Sequence, residues 1–323
     1  MADRLILAPI RGITTPAYRT CFNRHFPGLD GAMAPFVSTT AGNRAARSHF
    51  REIDPDHNDP LLPLIPQLIG RESTDFLHAA EQIAELGYTE VNWNLGCPAP
   101  MVAKKRRGSG LLPYPDEIIA FLEALEGKLP CTLSIKIRLG STTDDDLIKL
   151  LPRLAPFSLS AITIHPRTAA QMYSGKVNLA RYEEALAASP FPVLFSGDIF
   201  SLDFFAMIKN RFPTTHSWML GRGLLTNPYL LELLRNPIPP QKLSTEPIAR
   251  FHEELFAHYR SELFGPAPVL GRMKELWGYL HGCFLEGEKA FKNIRKCNDL
   301  YRYSDVVENL FKTGTVVIPR QPL

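Results

Sequence analysis

Apolar residues along the first 235 positions fall into short clusters separated by longer amphipathic stretches. The clusters Leu5–Pro9, Gly31–Phe36, Leu64–Ile69, Glu90–Leu95, Leu133–Arg138, Ala161–His165, Val193–Ser196 and Ser217–Leu220 have the length and side-chain type of buried strands. Thr74–Leu86, Asp116–Leu125, Asp144–Leu154 and Leu202–Arg211 carry helical spacing instead. In the first of these, Phe76, Leu77, Ala80, Ile83 and Ala84 form one apolar stripe. Eight strands, each followed by a helical segment, predict an α/β chain folded as a (β/α)8 TIM barrel. The stretch after the second strand carries the weakest helical pattern, which keeps a doubly wound open sheet as the alternative. Proline-rich Asn236–Pro247 reads as a linker, because consecutive prolines continue neither helix nor central strand. Beyond it, Ile248–Ser261, Val269–Cys283 and Gly287–Arg302 predict a small C-terminal helical domain over residues 248–311, of three or four helices. Residues 312–323 form a tail expected to fray.

Polar and reactive side chains accumulate where the strands end. Gln67, Asn94, Cys97, Lys136, Arg138, His165, Arg167, Asp198 and Arg222 all lie at or just past the carboxyl end of a strand candidate. In a parallel barrel that end is the active face. Cys97 sits in Asn94-Leu95-Gly96-Cys97-Pro98, a tight turn that offers its thiol to a pocket. Most cysteines are small buried hydrophobes, and the other four keep that reading.

Composition narrows the class. With 323 residues, 45% hydrophobic and 21% charged, the chain can bury a large core, and its 28 prolines mark defined loop entries. The formal net charge of +3 neither demands nor excludes a nucleic acid, so a basic footprint has to be local. Two clusters qualify: Lys104-Lys105-Arg106-Arg107 just after Cys97, and Lys289, Lys292, Arg295 and Lys296 in the tail, with Arg272 and Lys274 one helix earlier. No apolar run reaches membrane-spanning length. Five cysteines without C-x-x-C spacing argue against a disulfide framework and a zinc site, and point to a reducing cytoplasm.

The ordered motifs resemble the tRNA-dihydrouridine synthase family over nearly the whole chain. Asn94–Pro98 and Gly108–Pro115 match its Asn-x-Gly-Cys-Pro and Gly-Ser-x-Leu-Leu-x-Tyr-Pro, and Ala8-Pro9-Ile10-Arg11-Gly12 corresponds to its opening Ala-Pro-Met-x-Gly. Gln67–Gly70, Lys136–Arg138, His165–Thr168 with Tyr173 and Gly175, Ser196–Ile199 and Gly221–Gly223 complete the series. The resemblance implies FMN over the barrel mouth and NADPH or NADH as a transient electron donor. No G-x-G-x-x-G follows a strand, so the donor would visit without a Rossmann domain.

Pro9, Ile10, Arg11, Gln67, Lys136, His165, Ser196, Gly197, Asp198, Gly221 and Arg222 are the implied flavin contacts. Lys136 would face the N1/O2 edge, and Arg222 with Ser196-Gly197-Asp198 the phosphate. By the same resemblance, hydride would pass from reduced flavin to C6 of uracil while Cys97 protonates C5; an ordinary thiol is mostly protonated at neutral pH. Asn94, Arg138, Arg167, Tyr173, Arg272, Lys274 and Arg295 are the implied tRNA contacts, since a uridine must leave the folded RNA to be reduced. No metal, membrane or stable protein partner is implied. Ile10, Asn92, Pro100 and Ser196 depart from the usual family residues; Ser196 loses an amide that would serve the flavin. The rival readings are a barrel flavoenzyme for a free small molecule and a non-catalytic tRNA-binding module.

Overall fold

The computed structural model describes residues 3–39, 47–236 and 243–318. The chain opens with β1 (Arg4–Leu7) and α1 (Pro16–His25), then runs through β2 (Gly31–Met33), β3 (Val37–Ser38), β4 (Leu64–Ile65) and β5 (Gln67–Ile69). Regular alternation follows: α2 (Ser73–Glu85), β6 (Glu90–Leu95), α3 (Pro100–Ala103), α4 (Pro115–Leu125), β7 (Thr132–Gly140), α5 (Asp146–Leu154) and β8 (Leu159–Thr168). Then come α6 (Leu179–Ala188), β9 (Val193–Ser196), α7 (Leu202–Arg211), β10 (Ser217–Leu220), α8 (Arg222–Thr226) and α9 (Leu230–Arg235).

These ten strands make eight barrel staves. Pro66 splits the third stave into β4 and β5, because proline has no N–H to continue a ladder. β4 pairs with β2, β5 pairs with β3 and β6, and Ala34 N–H donates to Ile65 O at 3.0 Å between them. β1 pairs in parallel with both β10 and β2, and the second stave, β2 and β3, pairs with both halves of the third, so the sheet closes on itself and the open-sheet alternative is excluded. The connection after the second stave carries only 3-10 turns at Arg47–Phe50 and Pro55–His57 among the described residues.

Alternation along the strands decides what faces the barrel axis. On β6 and β7, Val91, Trp93, Leu95, Leu133, Ile135 and Ile137 are buried against the helices; Trp93 stacks on Phe121 at 4.0 Å between ring centroids. The intervening Asn92, Asn94, Ser134, Lys136 and Arg138 therefore point inward. Registers Asn92↔Ser134, Asn94↔Lys136 and Arg138↔His165 stack them into layers toward the carboxyl end. Below them, Ile6, Ala8, Met33, Leu194 and Met219 form a separate apolar plug.

Four tail helices follow: α10 (Glu246–Glu262), α11 (Pro266–Leu280), α12 (Gly287–Lys296) and α13 (Leu300–Thr313). The expected helix Gly287–Arg302 is broken, since Asp299 caps a new one by accepting Arg302 N–H at 2.8 Å. Within the proline-rich stretch, 237–242 lie outside the described residues, and Glu246 and Pro247 already belong to α10. The segment expected to fray is docked through Val317: Leu285 N–H donates to Thr315 O at 2.9 Å, and Val317 N–H to Cys283 O at 2.8 Å. Phe251 of α10 meets Tyr18, Phe22 and Phe26 of the α1 region edge-on, with centroids 5.5 to 6.0 Å apart. No helix among the described residues is long and apolar enough to cross a membrane.

Candidate active site

A cavity of about 370 Å³ opens at the carboxyl ends of the staves. That is the lower part of the size range of small-molecule sites. Fifteen of the residues expected from sequence line it: Pro9, Ile10, Arg11, Gln67, Asn94, Cys97, Lys136, Arg138, His165, Tyr173, Ser196, Gly197, Asp198, Gly221 and Arg222.

Cys97 is held by its turn rather than by its side chain. Asn94 Oδ1 accepts two successive N–H groups, Gly96 at 3.0 Å and Cys97 at 2.9 Å. The Cys97 carbonyl in turn accepts Ser109 N–H at 3.1 Å and Ser109 Oγ–H at 2.9 Å. Gly108 makes this approach possible: its φ is +56°, and a Cβ there would lie 2.8 Å from Cys97 O. Asn94 Nδ2 donates to Gln67 Oε1 at 2.8 Å, Gln67 Nε2 to Asn92 Oδ1 at 2.8 Å, and Asn92 Nδ2 to Ser134 Oγ at 2.9 Å. Both amides expected to meet ligand thus belong to one buried chain of hydrogen bonds.

Lys136 forms no hydrogen bond or ion pair with a described residue. Burial pushes its pKa down to about 8, Arg138 adds to the fall, and Cys97 opposes it. An ammonium that lines a cavity without a partner is suited to an anionic ligand edge. His165 is held neutral, its pKa driven well below the usual imidazole value by burial and then by Arg138, Lys136, Arg167 and Arg222.

Not every expected contact reaches the cavity. Arg167 is fully buried, ion-paired to Asp198, and donates to Ser174 O and Gly175 O. It does not line the site. Arg222 bonds the other oxygen of Asp198 at 2.5 Å and still lines the mouth. Arg138 lines it too, with three of its hydrogen bonds going to main-chain carbonyls. In the tail, Arg272 donates to Gly12 O at 2.7 Å and Lys274 to Cys297 O at 2.6 Å, so both fasten the fold. Arg295 is exposed, beside the Phe291 ring. The sequence reading missed Phe36, Met172, Phe200 and Tyr279, which also line the cavity. Tyr279 comes from α11, so the tail helices contribute to the mouth; only the fold brings that residue near.

Some cations are ion-paired and others are not, on barrel and tail alike. On the outer barrel helices Arg153, Arg181 and Arg211 are paired with Asp116, Asp145 and Glu183, each at 2.7 Å. Lys104, Lys105, Arg107, Lys289, Lys292, Arg295, Lys296 and Arg302 form no ion pair with a described residue. Among the described residues no cluster of His, Cys, Asp or Glu could hold a metal.

A family model for dihydrouridine synthase (Dus) matches residues 6–310. This chain belongs to the dihydrouridine synthase family. It is 25% identical over 316 residues to the tRNA-dihydrouridine(16) synthase of Neisseria meningitidis serogroup B, covering 95% of this chain and 93% of that one. It is 26% identical over 252 residues to the tRNA-dihydrouridine synthase B of Pasteurella multocida, covering 76% and 73%. Among solved structures, an old yellow enzyme homologue from Zymomonas mobilis superposes with a TM-score of 0.53 at 12% identity, over 76% of this chain and 91% of that one. A 2-naphthoyl-CoA reductase superposes at 0.54 and 11% identity, over 72% and 50%. These two likenesses concern the barrel fold alone.

Proposed function

We propose that this dihydrouridine synthase reduces the C5=C6 bond of a uridine in tRNA, with FMN in the cavity and Cys97 as the proton donor. The observation that carries the reading is the pairing of a rigidly presented thiol with an unpartnered ammonium in one cavity. Lys136 would hold the electron-rich N1/O2 edge of the isoalloxazine, and Arg222 beside Gly197 and Gly221 would receive the phosphate. Bound FMN would supply the hydride for C6 after reduction by NADPH or NADH. Cys97 then gives its proton to C5 from the other face of the base, as positioned acids do. His165 stays uncharged and adds no further positive charge to a mouth already lined by Arg138, Lys136 and Arg222.

Residues 248–311 are assigned as the part that grips RNA, with the unpaired Lys104, Lys105 and Arg107 on the other side of the mouth. We further assign position 16 as the target. The relative that carries this number in its name matches across 95% of the chain, tail included, and the tail is what would set the angle of the RNA.

Purified protein supplied with FMN and NADPH should form dihydrouridine on unmodified tRNA, located by mass spectrometry of nuclease fragments. Dihydrouridine at another position would overturn the target assignment alone. Turnover of free uracil or an enone at the rate seen with tRNA would overturn the substrate class.

A further inference from the structure

Arg138 stands between two loops. Its Nε donates to Gly96 O at 2.9 Å, one residue before Cys97. Its Nη1 donates to Thr168 O at 2.8 Å, at the end of β8, and to Met172 O at 2.7 Å, in the loop that follows. The side chain is 2% exposed. Burial lowers its pKa and Arg167 adds to the fall, while Tyr173 and Cys97 oppose it; the guanidinium lies 5.4 Å from the centre of the Tyr173 ring.

The loop that Arg138 reaches is gripped twice more. Arg167 donates to Ser174 O at 3.2 Å and Gly175 O at 2.5 Å, and Arg222 to Tyr173 O at 3.4 Å. These arginines come from three different parts of the barrel, and all these bonds end on main-chain carbonyls. The side chains of Met172 and Tyr173 are left over the cavity, which both line. Met172 sits at a φ of +51°, a left-handed conformation that a non-glycine residue keeps only where its surroundings over-determine it.

We propose that Arg138 is a positioning residue for the reduction: it ties the Cys97 turn to the Met172–Tyr173 loop and so sets the separation of thiol and tyrosine ring before a base enters. A planar guanidinium can serve acceptors on two sides at once, whereas a lysine ammonium cannot span them. The catalytic part of this inference rests on Cys97 being the acid. The tie itself does not.

The test is hydrogen–deuterium exchange by mass spectrometry on the full flavin-reconstituted chain, with tRNA kinetics in parallel. In Arg138→Lys, amides of both 96–99 and 168–176 should exchange at least about tenfold faster, the factor implied by losing one hydrogen bond to a charged donor. kcat for dihydrouridine should fall by about 100-fold, as a small misplacement of reacting groups costs, while the KM for tRNA stays within about twofold of the parent. Unchanged exchange with a raised KM would make Arg138 a ligand of the RNA and overturn the proposal. Should Arg138→Lys not fold, Asn94→Ala loosens the Cys97 turn with Arg138 in place. Faster exchange must then spread to 168–176; confinement to 96–99 would refute the tie. If the parent protein makes no dihydrouridine, the proposed reaction fails, and the exchange results still decide whether the two loops are coupled.

Discussion

The side-chain oxygen of Asn94 accepts the backbone N–H of Cys97 at 2.9 Å. It also holds Gly96 N–H, and its own amide donates to Gln67. Asn94→Ala strands one buried N–H, one part-buried N–H and one buried amide oxygen. The variant should lose about 1–3 kcal/mol of stability, read from the midpoint of urea unfolding. A midpoint equal to that of the parent would remove Asn94 from the support of the turn.

Cys97→Ala should bind flavin as the parent does, because the turn is held through main-chain groups and the thiol makes none of the turn's hydrogen bonds. Its rate of dihydrouridine formation should drop by a factor of about 100 or more, the usual contribution of a general acid. The visible spectrum checks the first statement and fragment mass spectrometry the second. Undiminished product would exclude Cys97 as the acid.

Flavin affinity should depend on pH through Lys136. With its pKa at about 8 in the free protein, the ammonium is present below that value and lost above it. An anionic edge that raises the pKa on binding makes affinity highest below pH 8. It then weakens by up to about tenfold per pH unit above it. Fluorescence titration of FMN between pH 6.5 and 9.5 should show this slope in the parent and a flat, weaker response in Lys136→Met.

The barrel and much of its site were legible because strand length, strand order and the polar residues at strand ends all lie close together in sequence. What escaped depends on contacts between distant segments. Tyr279, which enters the mouth from α11, lies more than fifty residues past the last barrel strand. Arg167 sits on the same strand end as His165, yet it turns away to Asp198 and two loop carbonyls, and a motif cannot tell these fates apart. Asn94 lines the cavity at its place in the motif, but its hydrogen bonds to Gly96, Cys97 and Gln67 could not be read there. In the tail, the segment read as one helix over Gly287–Arg302 is divided by the Asp299 cap before Leu300.

His252 is buried in the tail, its Nε2 2.6 Å from Tyr303 Oη, and burial pushes its pKa down to about 3. Its folded pKa is below the unfolded value of 6.5, so its stabilising contribution is complete above that pH and is lost as pH falls toward 3. Each such group adds up to about 1.4 kcal/mol per pH unit of acid sensitivity. His165 acts in the same direction. Thermal unfolding between pH 7 and 4 should show a shallower decline in His252→Gln than in the parent.

Lys292 and Lys296 on α12 are exposed and form no ion pair with a described residue. Replacing both with Glu should weaken tRNA binding by about tenfold or more and flatten its salt dependence by about one unit of slope per lost phosphate contact. Lys149→Glu on α5, where the lysine lies 3.9 Å from Asp145, is the control and should change neither. Equal effects from both changes would mean that general charge, not this face, attracts the RNA.

Phe251, packed among Tyr18, Phe22 and Phe26, fastens α10 to the α1 region of the barrel. If α12 clasps the RNA as proposed, that packing keeps the polynucleotide at one reach from the mouth. On the proposed reading, choice of nucleotide then becomes a matter of span, as with a ruler, set by how far α12 stands from the cavity.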